Sequence, residues 1–276
     1  MARKIPKLLT RSDVIKICIV TSPASYSCSA LISPLRPEFD KSLCGRTFTF
    51  SFEGDEKRIC RFEQQAVLWG CCEESLREEY AEWFKFPNGE IYFVHHLKTN
   101  ELPYEAVSFV LDLEKMSVTY IEMKLGTVHS NRDVQRTVKL GTVDGGECCK
   151  HEITNDLTGK VIDWKFADGV MMHHMYENIS CSEFVSPSPT GPYEWDDFFY
   201  TFNPTKYIKV GEKLYLINFY APGASGCAAD MLMDLEKMTC VGAFFGIDSK
   251  EIFKSYTFGG KGAYADVAFL GRYTVE

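Results

Sequence analysis

Asp112-Leu113-Glu114-Lys115-Met116 sits in the line SFVLDLEKMSVTYIEMKLG, and the same five residues return as Asp234-Leu235-Glu236-Lys237-Met238 in MLMDLEKMTCVGAFFG. An apolar alternating run precedes each copy, a second follows it, and each second run closes on a glycine, Gly126 and Gly246. Period-two alternation places successive side chains on opposite faces of a strand. A short polar motif between two such runs therefore reads as a hairpin connection, with its leucine and methionine tucked inward. The copies stand 122 positions apart. The chain is a tandem of two related β-rich halves.

Working outward, Thr47-Phe48-Thr49-Phe50-Ser51-Phe52 is a strand with one apolar face. Ile59–Phe62, Ala66–Trp69, Ile91–Leu97, Val107–Leu111 and Ser117–Lys124 continue the first half, with Asn88-Gly89 as a turn signal. The second half repeats the order: Leu157-Thr158-Gly159-Lys160 matches Leu43-Cys44-Gly45-Arg46, and Gly211-Glu212 precedes a strand as Gly89-Glu90 does. The expected organisation is an N-terminal arm over 1–38, a first barrel over 39–128, a polar linker or hairpin insert over 129–156, and a second barrel over 157–276. Crossover helices of a dozen residues, which parallel sheets need, are missing from the pattern. The expected fold is all-β, two antiparallel barrels or strongly curled sheets in tandem.

The 276 residues include 20 Phe, 14 Tyr and 4 Trp, ample for packed cores or an aromatic-lined cavity. A net charge of -8 opposes a phosphate-backbone-binding role, so no nucleic-acid partner is expected. Eleven cysteines, scattered or in the adjacent pairs Cys71-Cys72 and Cys148-Cys149, and a start without a signal-peptide core point to a cytoplasmic protein with reduced thiols. No apolar run reaches a membrane span. The expected partner is an apolar or aromatic small molecule, with homodimerisation open.

Leu157-Thr158-Gly159, Tyr215-Leu216, and the second DLEKM copy with Gly242 and Phe244-Phe245-Gly246 resemble the C-terminal domain of the MoaF family, and His151–Leu157 resembles that domain's entry. The first half is similar, more weakly, to the MoaF N-terminal domain, so the resemblance spans roughly residues 40–276. It implies lipocalin-type (calycin-like) barrels. It also implies tryptophan and histidine on the strand after Tyr176, where Phe184-Val185 stands here, and hence a more apolar cavity.

Candidate chemistry concentrates in His173-His174-Met175-Tyr176-Glu177. On a strand His174 and Tyr176 share one face, and a histidine can pass protons near neutral pH while a phenol stabilises a developing oxyanion. Asp196 and Asp197, between Trp195 and Tyr200, form the second candidate: carboxyls against aromatics can act as general acid or base. Trp195, Tyr200, Tyr215, Phe219, Phe184, Trp69, Trp83 and His95 are the expected ligand-contacting residues. Glu79-Tyr80-Ala81-Glu82-Trp83 is a looser counterpart of the acidic aromatic cluster, and His95-His96 a second histidine doublet. No metal site is expected, since adjacent strand histidines diverge and no HExxH or clustered Cys/His set exists. Gly259-Gly260-Lys261-Gly262 lacks the spacing and helix of a phosphate loop. The expected function is a cofactor-independent isomerase, cyclase or lyase acting on an apolar small molecule within a barrel. The alternative is a barrel that binds such a molecule without changing it.

Overall fold

The computed structural model describes residues 35–87, 89–98, 104–128, 130, 133–167, 170–186, 199–221, 227–247 and 253–265. Eight antiparallel strands close the first barrel in chain order: β1 (Thr47–Phe52), β2 (Lys57–Phe62), β3 (Ala66–Gly70), β4 (Arg77–Lys85), β5 (Ile91–Lys98), β6 (Glu105–Asp112), β7 (Ser117–Leu125) and β8 (Val134–Val143). Closing the sheet leaves no unpaired edge. The first barrel thus runs to Val143, and the expected insert over 129–156 contains its last strand. Strand β8 is hard to see because long polar side chains, Arg136 and Lys139, occupy both of its faces.

The second barrel repeats the plan with β10 (Val161–Ala167), β11 (Val170–Asn178), β12 (Cys181–Ser186), β13 (Phe199–Lys209), β14 (Leu214–Ala221), β15 (Cys227–Asp234), β16 (Thr239–Ile247) and β17 (Phe253–Tyr264). Pairing of β10 with β17 and of β12 with β13 closes it, and a short strand, β9 (Glu152–Ile153), adds to β13. The duplication is therefore a duplication of whole lipocalin-like barrels.

The repeated motif works alike in both. Asp112 Oδ1 accepts from the backbone N–H of Glu114 and Lys115 at 3.1 and 2.9 Å, and Asp234 Oδ1 from those of Glu236 and Lys237, both at 2.9 Å. An aspartate that holds the backbone two and three residues on is a turn former. Met116 and Met238 take the left-handed conformation that lets each chain reverse, at φ 49° and 51°. Leu235 is buried in the second core, and Leu113, Met116 and Met238 pack partly buried against their own. The starts of the barrels match as well. Gly45 N–H donates to Phe62 O at 2.8 Å and Gly159 N–H to Tyr176 O at 2.7 Å, with positive φ at both glycines.

Alternation decides which residues face inward. Phe48, Phe50, Phe62, Trp69, Trp83, Phe109 and Tyr120 fill the first interior; Ile162, Trp164, Tyr176, Phe184, Phe219 and Phe258 fill the second. The glycine-rich end of β17 is explained by packing rather than ligand chemistry. A Cβ on Gly262 would lie 2.9 Å from the Trp164 ring, and one on Gly260 3.0 Å from Phe166.

A third apolar core lies between the barrels. Phe84, Phe93, Val110 and Ile121 on the outer face of the first meet Ile208, Leu216, Leu232 and Phe245 on the outer face of the second. Superposing the two DLEKM hairpins through the strand registers puts Ser108 on Asp230, His95 on Asn218 and Arg136 on Ser255. His95 Nε2 lies 3.0 Å from Ser255 Oγ, and Arg136 donates to Asn218 Oδ1 at 3.0 Å. These are one contact used twice, in opposite directions. The barrels face each other through equivalent surfaces, as the subunits of a two-fold dimer do.

Residues 39–46 close one end of the first barrel. Leu43 is fully buried, the Phe39 ring lies 4.4 Å from that of Trp83, and Ser42 Oγ is 2.9 Å from the Tyr92 hydroxyl. The β6–β7 hairpin lies at the same end. The β1–β2, β3–β4, β5–β6 and β7–β8 connections surround the other.

Candidate functional site

Two polar side chains stand in the aromatic interior of the first barrel. Glu79 precedes Ala81 and Trp83 on the inner face of β4, and His96 follows Tyr92 and Val94 on that of β5. Ala81 is the direct register partner of His96, so Glu79 reaches it diagonally. His96 Nδ1 lies 2.5 Å from Glu79 Oε2, with the histidine side chain fully buried and that of the glutamate 8% exposed. An ionised carboxylate only accepts, and opposite one the ring would carry its hydrogen on Nδ1. The opposite nitrogen, Nε2, is buried and has no hydrogen-bond partner among the described residues. Trp69 covers the imidazole at 5.1 Å between ring centroids and itself stacks on Phe109 and Tyr120 at 5.9 and 5.7 Å. Cys60 pairs with Trp69 across β2 and β3, and burial, with the Glu79 charge nearby, pushes its thiol up.

The end of the barrel away from residues 39–46 is polar. Lys98 donates to Glu105 and Glu122 at 2.7 and 2.8 Å, Lys124 pairs with Glu105 at 2.9 Å, and Arg58 with Glu56 at 2.7 Å. Burial alone would lower the Lys98 ammonium, but its two carboxylate partners hold it above the usual lysine value. A charged collar over an aromatic interior gives this barrel a wet rim and an apolar depth.

In the second barrel His174 and Tyr176 share the interior face, with ring centroids 6.2 Å apart. The Tyr176 hydroxyl accepts from Trp164 Nε1 at 3.2 Å and donates to Met233 Sδ at 3.1 Å. Burial raises its phenol, the Trp164 hydrogen bond opposing. His174 stacks on Phe184 at 3.8 Å, and burial, then His173 beside it, pushes it down to about 3. Its Nδ1 is buried without a partner among the described residues.

The remaining expected residues separate. Phe184, Tyr215 and Phe219 belong to the second interior, Trp69 and Trp83 to the first. Tyr215 donates to Asp156 Oδ2 at 3.2 Å. His95 faces the opposite side of its strand from His96. Its Nδ1 lies 3.0 Å from Ser108 Oγ and its Nε2 meets Ser255, so it bridges the barrels. Trp195, Asp196 and Asp197 lie outside the described residues, as does the side chain of Tyr200. Among the described residues no group of three His, Cys, Asp or Glu side chains could hold a metal ion, and no helix is long and apolar enough to cross a membrane.

The Glu79–His96 pair escapes a reading that looks for clusters along the chain, because its members lie 17 positions apart. Parity could have found it. Each residue sits on the inward phase of its strand beside buried core residues, Glu79 next to Ala81 and Trp83, His96 next to Tyr92 and Val94.

The barrel fold is consistent with small-molecule binding. No curated relative matches the chain. Residues 35–127 match the MoaF N-terminal domain, the segment that runs from the closing arm through β7 of the first barrel. With that match on the first barrel and the same architecture repeated in the second, the chain is MoaF-like.

Proposed function

We propose that the first barrel binds an apolar or aromatic small molecule and moves a proton on it without a cofactor, as an isomerase, cyclase or lyase would. The observation that carries this is the Nε2 of His96, without a partner among the described residues and held in an aromatic interior by Glu79. Which ring nitrogen is free is set by the bond the other makes. With Nδ1–H donated to Glu79, the Nε2 lone pair is the base. It takes a proton from a weakly acidic C–H or O–H of the ligand, and the imidazolium formed is stabilised by the adjacent carboxylate. Return of that proton to another atom completes an isomerisation; its transfer to a leaving group completes an elimination. Trp69, Phe109 and Tyr120 supply a flat wall that orients an aromatic ligand. The His174–Tyr176 pair is the alternative location for such chemistry, and its unpartnered Nδ1 favours it. Tyr176 is already tied to Trp164 and Met233, which leaves it less suited to act on a ligand.

The test is uptake of solvent deuterium by 2-tetralone, an aromatic ketone with an acidic C–H, followed by proton NMR. Enzyme-dependent exchange lost in His96→Gln and kept in His174→Gln supports the reading. Exchange lost only in His174→Gln moves the chemistry to the second barrel, and no protein-dependent exchange leaves binding as the function.

A further inference from the structure

The strand registers carry the comparison of the two interiors to single residues. Cys60 of the first barrel corresponds to His174 of the second, Trp69 to Phe184, Glu79 to Asn203 and His96 to Phe219. Each interior therefore holds one histidine against the aromatic of its third strand, presented from opposite sides of it: from β5, two strands on, in the first barrel, and from β11, the preceding strand, in the second. The carboxylate that holds the first histidine is replaced by an amide at the equivalent position of the second.

We propose that the second barrel is a separate, non-catalytic binding site for an uncharged aromatic molecule bearing a hydroxyl group, read by His174 Nδ1. Four observations bear on it. His174 is 2% exposed, and its Nδ1 has no hydrogen-bond partner among the described residues. A buried ring nitrogen in that state calls for a polar atom from outside the fold. Among the described residues the nearby tyrosine hydroxyls are already used: Tyr176 by Trp164 and Met233, and Tyr207 by Cys181 O at 2.5 Å. His174 is flanked by Phe184 and Phe166, with Phe219 edge-on to Phe184 at 4.7 Å, so a flat ring is the matching shape. Burial keeps the imidazole neutral, which leaves it without charge to offer an anion. A hydroxyl can donate to or accept from a neutral imidazole, so it suits either tautomer. Lacking the carboxylate that fixes His96, His174 has nothing comparable among the described residues to stabilise an imidazolium, and the site holds its ligand rather than changing it.

The experiment is calorimetric titration of the full chain with 2-naphthol, on the wild type and on His174→Leu and His96→Leu. Two equivalents should bind the wild type. His174→Leu should weaken one of them at least tenfold and leave the other. His96→Leu should do the converse, so loss of the first-barrel reading and loss of this one give different results. Because His174→Leu alters a core, the imidazole nitrogens of the wild-type protein are also followed by NMR during the titration. Movement of the His174 Nδ1 resonance with the second equivalent supports the site. A single equivalent that His174→Leu leaves intact, or a His174 resonance unmoved at saturation, overturns it.

Discussion

Glu79 Oε2 and His96 Nδ1 meet at 2.5 Å inside the first barrel, on adjacent strands and one inward position out of register. That offset lets the carboxylate reach the ring nitrogen nearer the backbone and leaves the far nitrogen without a partner among the described residues. Positioned general bases contribute about 10²–10⁴-fold, so His96→Gln should lower kcat for 2-tetralone exchange by about that factor, with a smaller change in KM. Glu79→Gln should lower it less, because the amide can still hold the ring while losing the charge that stabilises the imidazolium. Steady-state kinetics on both variants checks the order. Equal values for all three proteins would remove the pair from the chemistry.

Ser255 contributes to the barrel interface through the far nitrogen of His95. Ser255→Ala leaves that buried nitrogen unpaired, a loss worth roughly 1–3 kcal/mol. Urea unfolding should show the decrease, and Ser255→Thr, which restores a hydroxyl, should recover part of it. A neutral Ser255→Ala would mean that the bridge adds nothing beyond the apolar interface around it.

Stability should fall on mild acidification. His95 is pushed down to about 3 by burial and then by His96 beside it, and His174 to about 3 by burial and then by His173, from an ordinary value of 6.5. Between those values the unfolded chain binds protons that the folded one does not. The stability due to neutral burial is therefore complete above the unfolded value and lost progressively as pH falls toward the folded one. Each histidine contributes a slope of about 1.4 kcal/mol per pH unit in that window. Urea unfolding at pH 7 and pH 5 measures the drop, and His95→Asn should reduce it.

Gly262→Ala tests the account of the glycine-rich strand. The new methyl would meet the Trp164 ring at 2.9–3.1 Å, and overpacking of this kind costs roughly 1–3 kcal/mol. A lower Tm with a shifted tryptophan emission is expected. An unchanged Tm would show that the ring has room to move.

Much of the fold was legible because strand physics is local. Phe48, Phe50 and Phe52 announce an inward face, Asn88-Gly89 a reversal, and the two DLEKM copies the duplication. Strand β8 was not legible, since Arg136 finds its partner, Asn218, in the other barrel and Lys139 pairs with Glu56 at the rim. Without those partners the strand reads as a polar insert. The histidine doublets were visible as doublets, but the division of His95-His96 between interface and interior depends on which outer faces the barrels bury. Only the assembled pair of barrels shows that His96 looks inward and His95 across.

The most direct test of the central claim is the tautomeric state of His96, read from nitrogen-15 NMR of the histidine side chains at neutral pH and assigned by difference with His96→Gln. Nδ1 should carry the hydrogen, Nε2 should be bare, and Nε2 should shift when 2-naphthol binds. A hydrogen on Nε2, or an Nε2 resonance indifferent to ligand, would contradict the claim that this atom is the base of the first barrel.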